Sequence, residues 1–254
     1  MLTFAFFTKT IDFFTKIIVK NDIFNKDFEG VIFMASGFFK QTNPAMRFLT
    51  GLCDLMVTNL LFIITCIPVF TIGASLCSLY KIAAEIKRGE EVFLFRDYFK
   101  TFASCFKKAT LLWVPLLVID SFLAYELYLL YYVLPEQYQL LQYPIIFVLF
   151  ISLFIVIYSF PLMALFENSL KGTVINAFKI GLASFPTTIF IMVMHILIFV
   201  LFINGSIVSI VILSIYMFFG FTLTALVTFI FMDKAMDRIP DYKRSKEILD
   251  EEDQ

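Results

Sequence analysis

The sequence predicts an all-α polytopic membrane bundle of about six membrane segments. Five read as full spans and one as a short or re-entrant helix, with amphipathic cytoplasmic helices between them. Three observations predict this. First, 60% of the 254 residues are apolar, 16% are charged and the mean hydropathy is +0.88. Soluble domains run at roughly 45–50% apolar and about 25% charged. Second, the apolar residues fall in runs long enough to cross a hydrocarbon core, which takes about 20 helical residues. Third, the 20 Lys and Arg cluster in four segments between those runs. The net charge of −1 names no polyanionic partner, and the composition argues against nucleic-acid binding.

Residues 1–37 read as an amphipathic cytoplasmic extension. Phe7, Ile11, Phe14 and Ile18 fall on one side, and Lys9, Asp12 and Lys16 on the other. The membrane domain then covers 38–235, with spans near 47–67, 69–86, 108–134, 141–166, 184–203 and 207–232. A charged cytoplasmic tail, 236–254, closes the chain. Residues 180–232 hold no Asp, Glu, Lys or Arg over 53 positions, too long for one span. Asn204, Gly205 and Ser206 divide that run into a helical hairpin.

The run 48–80 is longer than one span and shorter than two. Pro68 and Gly73 interrupt it. Charge decides how to read it, because cytoplasmic loops carry excess Lys and Arg. Segments 1–50, 81–108, 167–183 and the tail hold six, seven, two and five basic residues. A hairpin turning near Pro68 puts all 20 on one side, and a single crossing splits them. The hairpin predicts that both termini are cytoplasmic. It also predicts an outer face of three short turns, near 68–71, 134–141 and 204–206. Trp113 marks the inner end of its span, and Tyr125, Tyr128, Tyr131 and Tyr132 the outer end.

The segment 93–108 is amphipathic. Phe95, Phe99, Phe102 and Phe106 share a narrow arc at helical spacing, with Arg96, Lys100, Lys107 and Lys108 on the flank and opposite face. It reads as a helix in the inner headgroup plane, attracted to anionic lipid, or as a docking element for a partner.

Ionisable groups within spans are functional candidates. Asp120 and His195 both sit near the middle of theirs. As a pair they would make a proton relay or a polar clamp; singly, each supports packing. Asp54 and Asn59 lie on the first span, near the broken stretch Pro68–Thr71–Gly73. They read as helix–helix glue or as the lining of a site in a broken helix. The four cysteines form no CxxC pair and His195 is the only histidine, so no metal site is expected. There is no P-loop, HExxH, GxSxG or dinucleotide fingerprint. Neither enzymatic activity nor a cofactor is expected.

The stretch 38–113 resembles the YesL-like family of bacterial multi-pass membrane proteins. The resemblance is carried by Asp54 and Asn59 in a D-x4-N spacing and by Pro68, Thr71, Gly73 and Ser75 in PVFTIGAS. Leu79-Tyr80 and the ladder Phe99, Phe102, Phe106 running into Thr110-Leu111-Leu112-Trp113 extend it. After 113 the likeness continues only as hydropathy. The resemblance implies an accessory or regulatory role beside carbohydrate uptake or sensing. Its implied partners are the lipid bilayer and an ABC permease or sensor-kinase subunit. It supplies no catalytic motif. The alternative is a small-solute or proton-coupled transporter using Asp120 and His195.

Overall fold

The computed structural model describes residues 44–89, 92–166, 169–204 and 207–236. The extension read over 1–37 and nearly all of the charged tail lie outside these residues. Among the described residues every regular element is helical. Five helices are long and apolar enough to cross a membrane, or six if a bent pair counts as one span.

The chain divides into two compact units, 1–57 and 58–254. The described part of the first is the opening of helix α1 (Pro44–Cys66), where Leu49 and Met56 are exposed. The second unit holds the rest of α1 and all later elements.

Helix α2 (Ile72–Arg88) is the centre of the second unit: eleven of its 17 residues are buried. It packs against α3 (Leu94–Tyr132), α4 (Gln142–Leu165) and α8 (Phe221–Met236). Between lipid-embedded helices the hydrophobic effect gives little drive, so close packing must hold them. Small side chains permit that approach: Ala74, Ser75, Cys77, Ser78, Ala83 and Ala84 are all buried. The two serines can be buried because each bonds its own helix, Ser75 Oγ to Thr71 O at 3.1 Å and Ser78 Oγ to Ala74 O at 3.3 Å. Gly73 makes the closest part of this approach possible at the start of α2. A Cβ there would stand 2.9 Å from both Ala109 O and Trp113 Cβ, and 3.0 Å from a Phe160 ring carbon. Gly89, at φ 74°, ends α2 in a left-handed cap.

Pro68 opens a short 3-10 turn, Val69–Thr71, between α1 and α2. Thr71 Oγ1 lies 2.5 Å from Thr65 O and 2.6 Å from Pro68 O, covering carbonyls that the helix break leaves free. Helix α3 holds the turn from its own side. Trp113 Nε1 donates to Val69 O at 2.9 Å, and the Tyr98 hydroxyl bonds Thr65 Oγ1 at 2.8 Å.

These contacts change where the turn lies. Trp113 is the twentieth of the 39 residues in α3. Beyond it α3 continues for about 28 Å at 1.5 Å per residue, close to the thickness of a hydrocarbon core. The sequence reading put the 68–71 turn on the outer face with 134–141. The structure sets the turn level with Trp113, which the same charge pattern puts at the inner end of its span, so those two placements do not hold together. The physical reason is the pairing of α2 with the first half of α3, which leaves the second half to rise past the turn.

The amphipathic stretch 93–108 differs from expectation as well. It is no separate surface helix but the first part of α3, one continuous helix about 58 Å long. Its inward face is Tyr98, Cys105 and Ala109, all buried, with Phe102 and Phe106 packed at the edge of the core.

Helix α4 returns along α3 after a 3-10 turn at Glu136–Leu141. Helix α5 (Leu170–Ala183) starts at Ser169, whose hydroxyl caps Gly172 N at 3.2 Å. It meets α6 (Phe185–Asn204) at 102°. Thr188 fills that bend: its hydroxyl faces Gly181 O at 2.9 Å and receives the Tyr158 hydroxyl at 2.7 Å. Helix α7 (Ile207–Ile215), one π-turn (Tyr216–Gly220) and α8 complete the unit. Lys87 near the end of α2 forms an ion pair with Asp233 of α8 and lies 5.2 Å over the Phe229 ring, so these two helix ends lie side by side.

Two outcomes are expected. Gly73→Val should lower stability by about 1–3 kcal/mol through overpacking, read by thermal unfolding in detergent from the single tryptophan, Trp113. In sealed vesicles, cysteines placed singly at Val69 and Tyr138 in a cysteine-free background should not both react with an impermeant maleimide from the same side. Equal labelling from one side would restore the outer placement of the turn.

Candidate functional site

The best-defined polar site joins α1 to the π-turn. A π-turn pairs backbone groups five residues apart, and such turns occur frequently at functional sites. Gly220 permits this one, because any Cβ there would strike the Tyr216 ring. Asn59, fully buried, inserts its carboxamide at this point. Its Nδ2 donates to Met217 O at 2.6 Å, and its Oδ1 accepts from Thr222 N at 3.1 Å. Met217 O and Thr222 N are a five-residue pair. A carboxamide carries one acceptor and one donor group on adjacent atoms, so it bridges such a pair as a peptide unit would.

Next to this clamp lies a half-open cavity of about 310 Å³. Phe62, Leu79, Tyr80 and Ala225 form its buried floor. His195, Tyr216 and Thr224 are polar members of its partly exposed rim. The Tyr216 ring packs on Phe221 at 4.8 Å, and its hydroxyl bonds Thr224 Oγ1 at 3.1 Å. The Phe62 and Phe221 rings meet at 5.1 Å. His195 Nδ1 lies 2.8 Å from Ile191 O. A carbonyl only accepts, so Nδ1 carries the hydrogen and Nε2 of the neutral ring is an acceptor.

Asp120 and His195 do not form a pair. Asp120 Oδ2 accepts from Ser152 Oγ at 2.6 Å, tying α3 to α4, while Oδ1 is buried without a hydrogen-bond partner. His195 bonds its own helix instead. Asn59 forms the clamp described above, and Asp54 lies earlier on α1. Pro68, Thr71 and Gly73 do converge, as the turn described above. Of the stripe on α3, Phe95, Phe99, Phe102 and Phe106 are partly buried, while Arg96, Lys100, Lys107 and Lys108 are exposed.

Sequence reasoning missed Ser152, Tyr98, Thr222 and Tyr216. Ser152, Tyr98 and Thr222 take their roles from partners 32, 33 and 163 positions away, and Tyr216 from a π-turn that no local pattern announces. Asp233 was visible as the first charge after 53 uncharged positions, but its partner Lys87 was not. Among the described residues no group of three or more His, Cys, Asp or Glu side chains is placed to hold a metal. Cys77 and Cys105 are buried, Cys66 is partly buried and Cys53 is exposed, all as free thiols.

Residues 55–127 match a family described as a protein of unknown function, DUF624. That match covers the second part of α1, all of α2 and most of α3. It takes in Asn59, the Pro68–Gly73 turn, Trp113 and Asp120. No curated protein and no solved structure matches the chain. The chain is a membrane-spanning helical protein with a domain like that family's.

Asn59→Leu is expected to strand Met217 O and Thr222 N in an apolar interior. The cost should be about 1–3 kcal/mol for a buried group left unsatisfied, measured by thermal unfolding in detergent. Asn59→Asp keeps the acceptor for Thr222 and loses the donor to Met217, so it should also destabilise. A wild-type melting temperature for both would remove the clamp from the account.

Proposed function

We propose that the protein is a non-enzymatic accessory or regulatory component of the bacterial plasma membrane. Its place is beside a carbohydrate-uptake permease or a sensor kinase. The observation that supports this reading best is the first half of α3. One face of it is packed on α2, and Arg96, Lys100, Lys107 and Lys108 stand exposed on the remainder. Because the same helix runs on as a span, Arg96, Lys100 and Lys107, within about 40° of one another round the helix, form a rigid ridge at the inner end of the bundle. Such a ridge suits an acidic cytoplasmic segment of a partner, where charge complementarity governs encounter and orientation. The resemblance to YesL-like proteins points the same way.

A transporter built on Asp120 and His195 has less support. One of those groups is tied to Ser152 and the other to its own helix, so neither supplies the other with a proton path.

A photoreactive amino acid at Lys100 or Ser104, irradiated in native membranes, should give an adduct with a permease or sensor-kinase subunit. The double charge reversal Arg96→Glu and Lys100→Glu should weaken that adduct severalfold. Adducts with lipid alone, or a protein adduct indifferent to the reversal, would overturn the reading.

A further inference from the structure

We propose that the cavity beside the π-turn binds a long-chain neutral amphiphile, entering sideways from the bilayer, with its hydroxyl donating to His195 Nε2. The cavity floor is buried and mostly apolar, and its rim is partly exposed. Leu197 on α6, Phe218 in the π-turn and Leu223 on α8 stand exposed on the elements that form the rim. In a membrane-spanning bundle such surfaces meet acyl chains, so the ligand that reaches this opening is a lipid.

The chemistry of the lining narrows the class. Among the described residues no charged side chain lines the cavity. A phosphate headgroup drawn into it would lose its hydration with no counter-charge, a cost of several kcal/mol or more. A neutral head faces no such penalty. His195 sits eleven residues along the 20-residue α6, at mid-depth of that helix. Its Nδ1 is committed to Ile191 O, which leaves Nε2 as the acceptor of a ring that lines the cavity. An acceptor in an apolar pocket selects a donor, and a hydroxyl is the neutral lipid group that supplies one. The volume of about 310 Å³ stands at the small end of ligand pockets, which run from about 300 to 1,000 Å³. It suits one chain rather than two. The π-turn and its Asn59 clamp keep one wall in place, so the site is formed before the ligand arrives.

The probe is a long-chain fatty alcohol carrying a diazirine in its chain, applied to the full-length protein in lipid nanodiscs. The control is a phosphatidylcholine with the same photoreactive chain. Peptide mapping should place the alcohol's adducts in segments around Leu79, Ile198 and Ala225, and unlabelled fatty alcohol should displace them. The phosphatidylcholine should label exposed positions such as Val118 and Phe122 and spare the cavity. His195→Leu should cut cavity labelling by about fivefold, the loss of one hydrogen bond, and leave labelling at Val118 unchanged. His195→Gln, which restores an acceptor, should recover most of it and guards against a folding defect in the leucine variant. The proposal is overturned if the cavity is not labelled or if phosphatidylcholine labels it equally. Full labelling of His195→Leu would also overturn it.

Discussion

The close approach of α2 to α3 and α4 at Gly73 is the constraint on which the rest of this structure depends. With a side chain at that position, the backbone of α2 would be pushed from Ala109 O, Trp113 Cβ and Phe160. Trp113 would then lose its reach to Val69 O, and the α1–α2 turn would lose its hold on α3. Because α2 is set at this height, its last turn meets α8, where Lys87 pairs with Asp233. One absent Cβ therefore sets the depth of the turn and, through α2, the place of the C-terminal helix.

Within this frame the polar groups act mainly as fasteners between helices. Asp120 with Ser152 joins α3 to α4, Tyr158 with Thr188 joins α4 to α6, and Thr65 with Tyr98 joins α1 to α3. Each bond is modest in energy, because an unfolded helix in the membrane also finds partners. Their effect is on register: a hydroxyl 2.7 Å from its acceptor does not tolerate a one-residue slide of either helix. Asp120 is the exception in part, since one of its buried oxygens remains without a partner.

The sequence made the helical class legible because composition and uncharged runs are properties of single segments. It also made the break at Pro68 legible, along with the importance of Thr71 and Gly73, since proline, threonine and glycine act locally. It did not reveal the height of that break. Height depends on Trp113 reaching Val69 O across 44 positions, and no local pattern encodes that reach. The phenylalanine stripe on 93–108 shows the same limit. Its period correctly gave a helix with one apolar face, but periodicity does not say whether lipid or protein covers the face. The supply of small residues on α2 was the available clue: a helix with so little bulk needs a neighbour pressed against it. Asn59 was singled out, yet its acceptor and donor lie about 160 residues away, on a π-turn that hydropathy cannot distinguish from ordinary helix.

That π-turn explains why the clamp and the cavity are neighbours. An α-helical ladder through 216–222 would pair Met217 O within its own helix and leave nothing for Asn59 to hold. Widening the ladder by one residue sets Met217 O against Thr222 N, the pair that Asn59 bridges, and Gly220 makes room for the Tyr216 ring to fold back over it. The displaced ring becomes part of the cavity rim, and its hydroxyl is tied to Thr224. Asn59 thus stabilises the same distortion that shapes the opening. Any substitution that relaxed the π-turn to regular helix would release Asn59 and move Tyr216 together. The buried amide is a structural fastener whose position also governs who can enter beside His195.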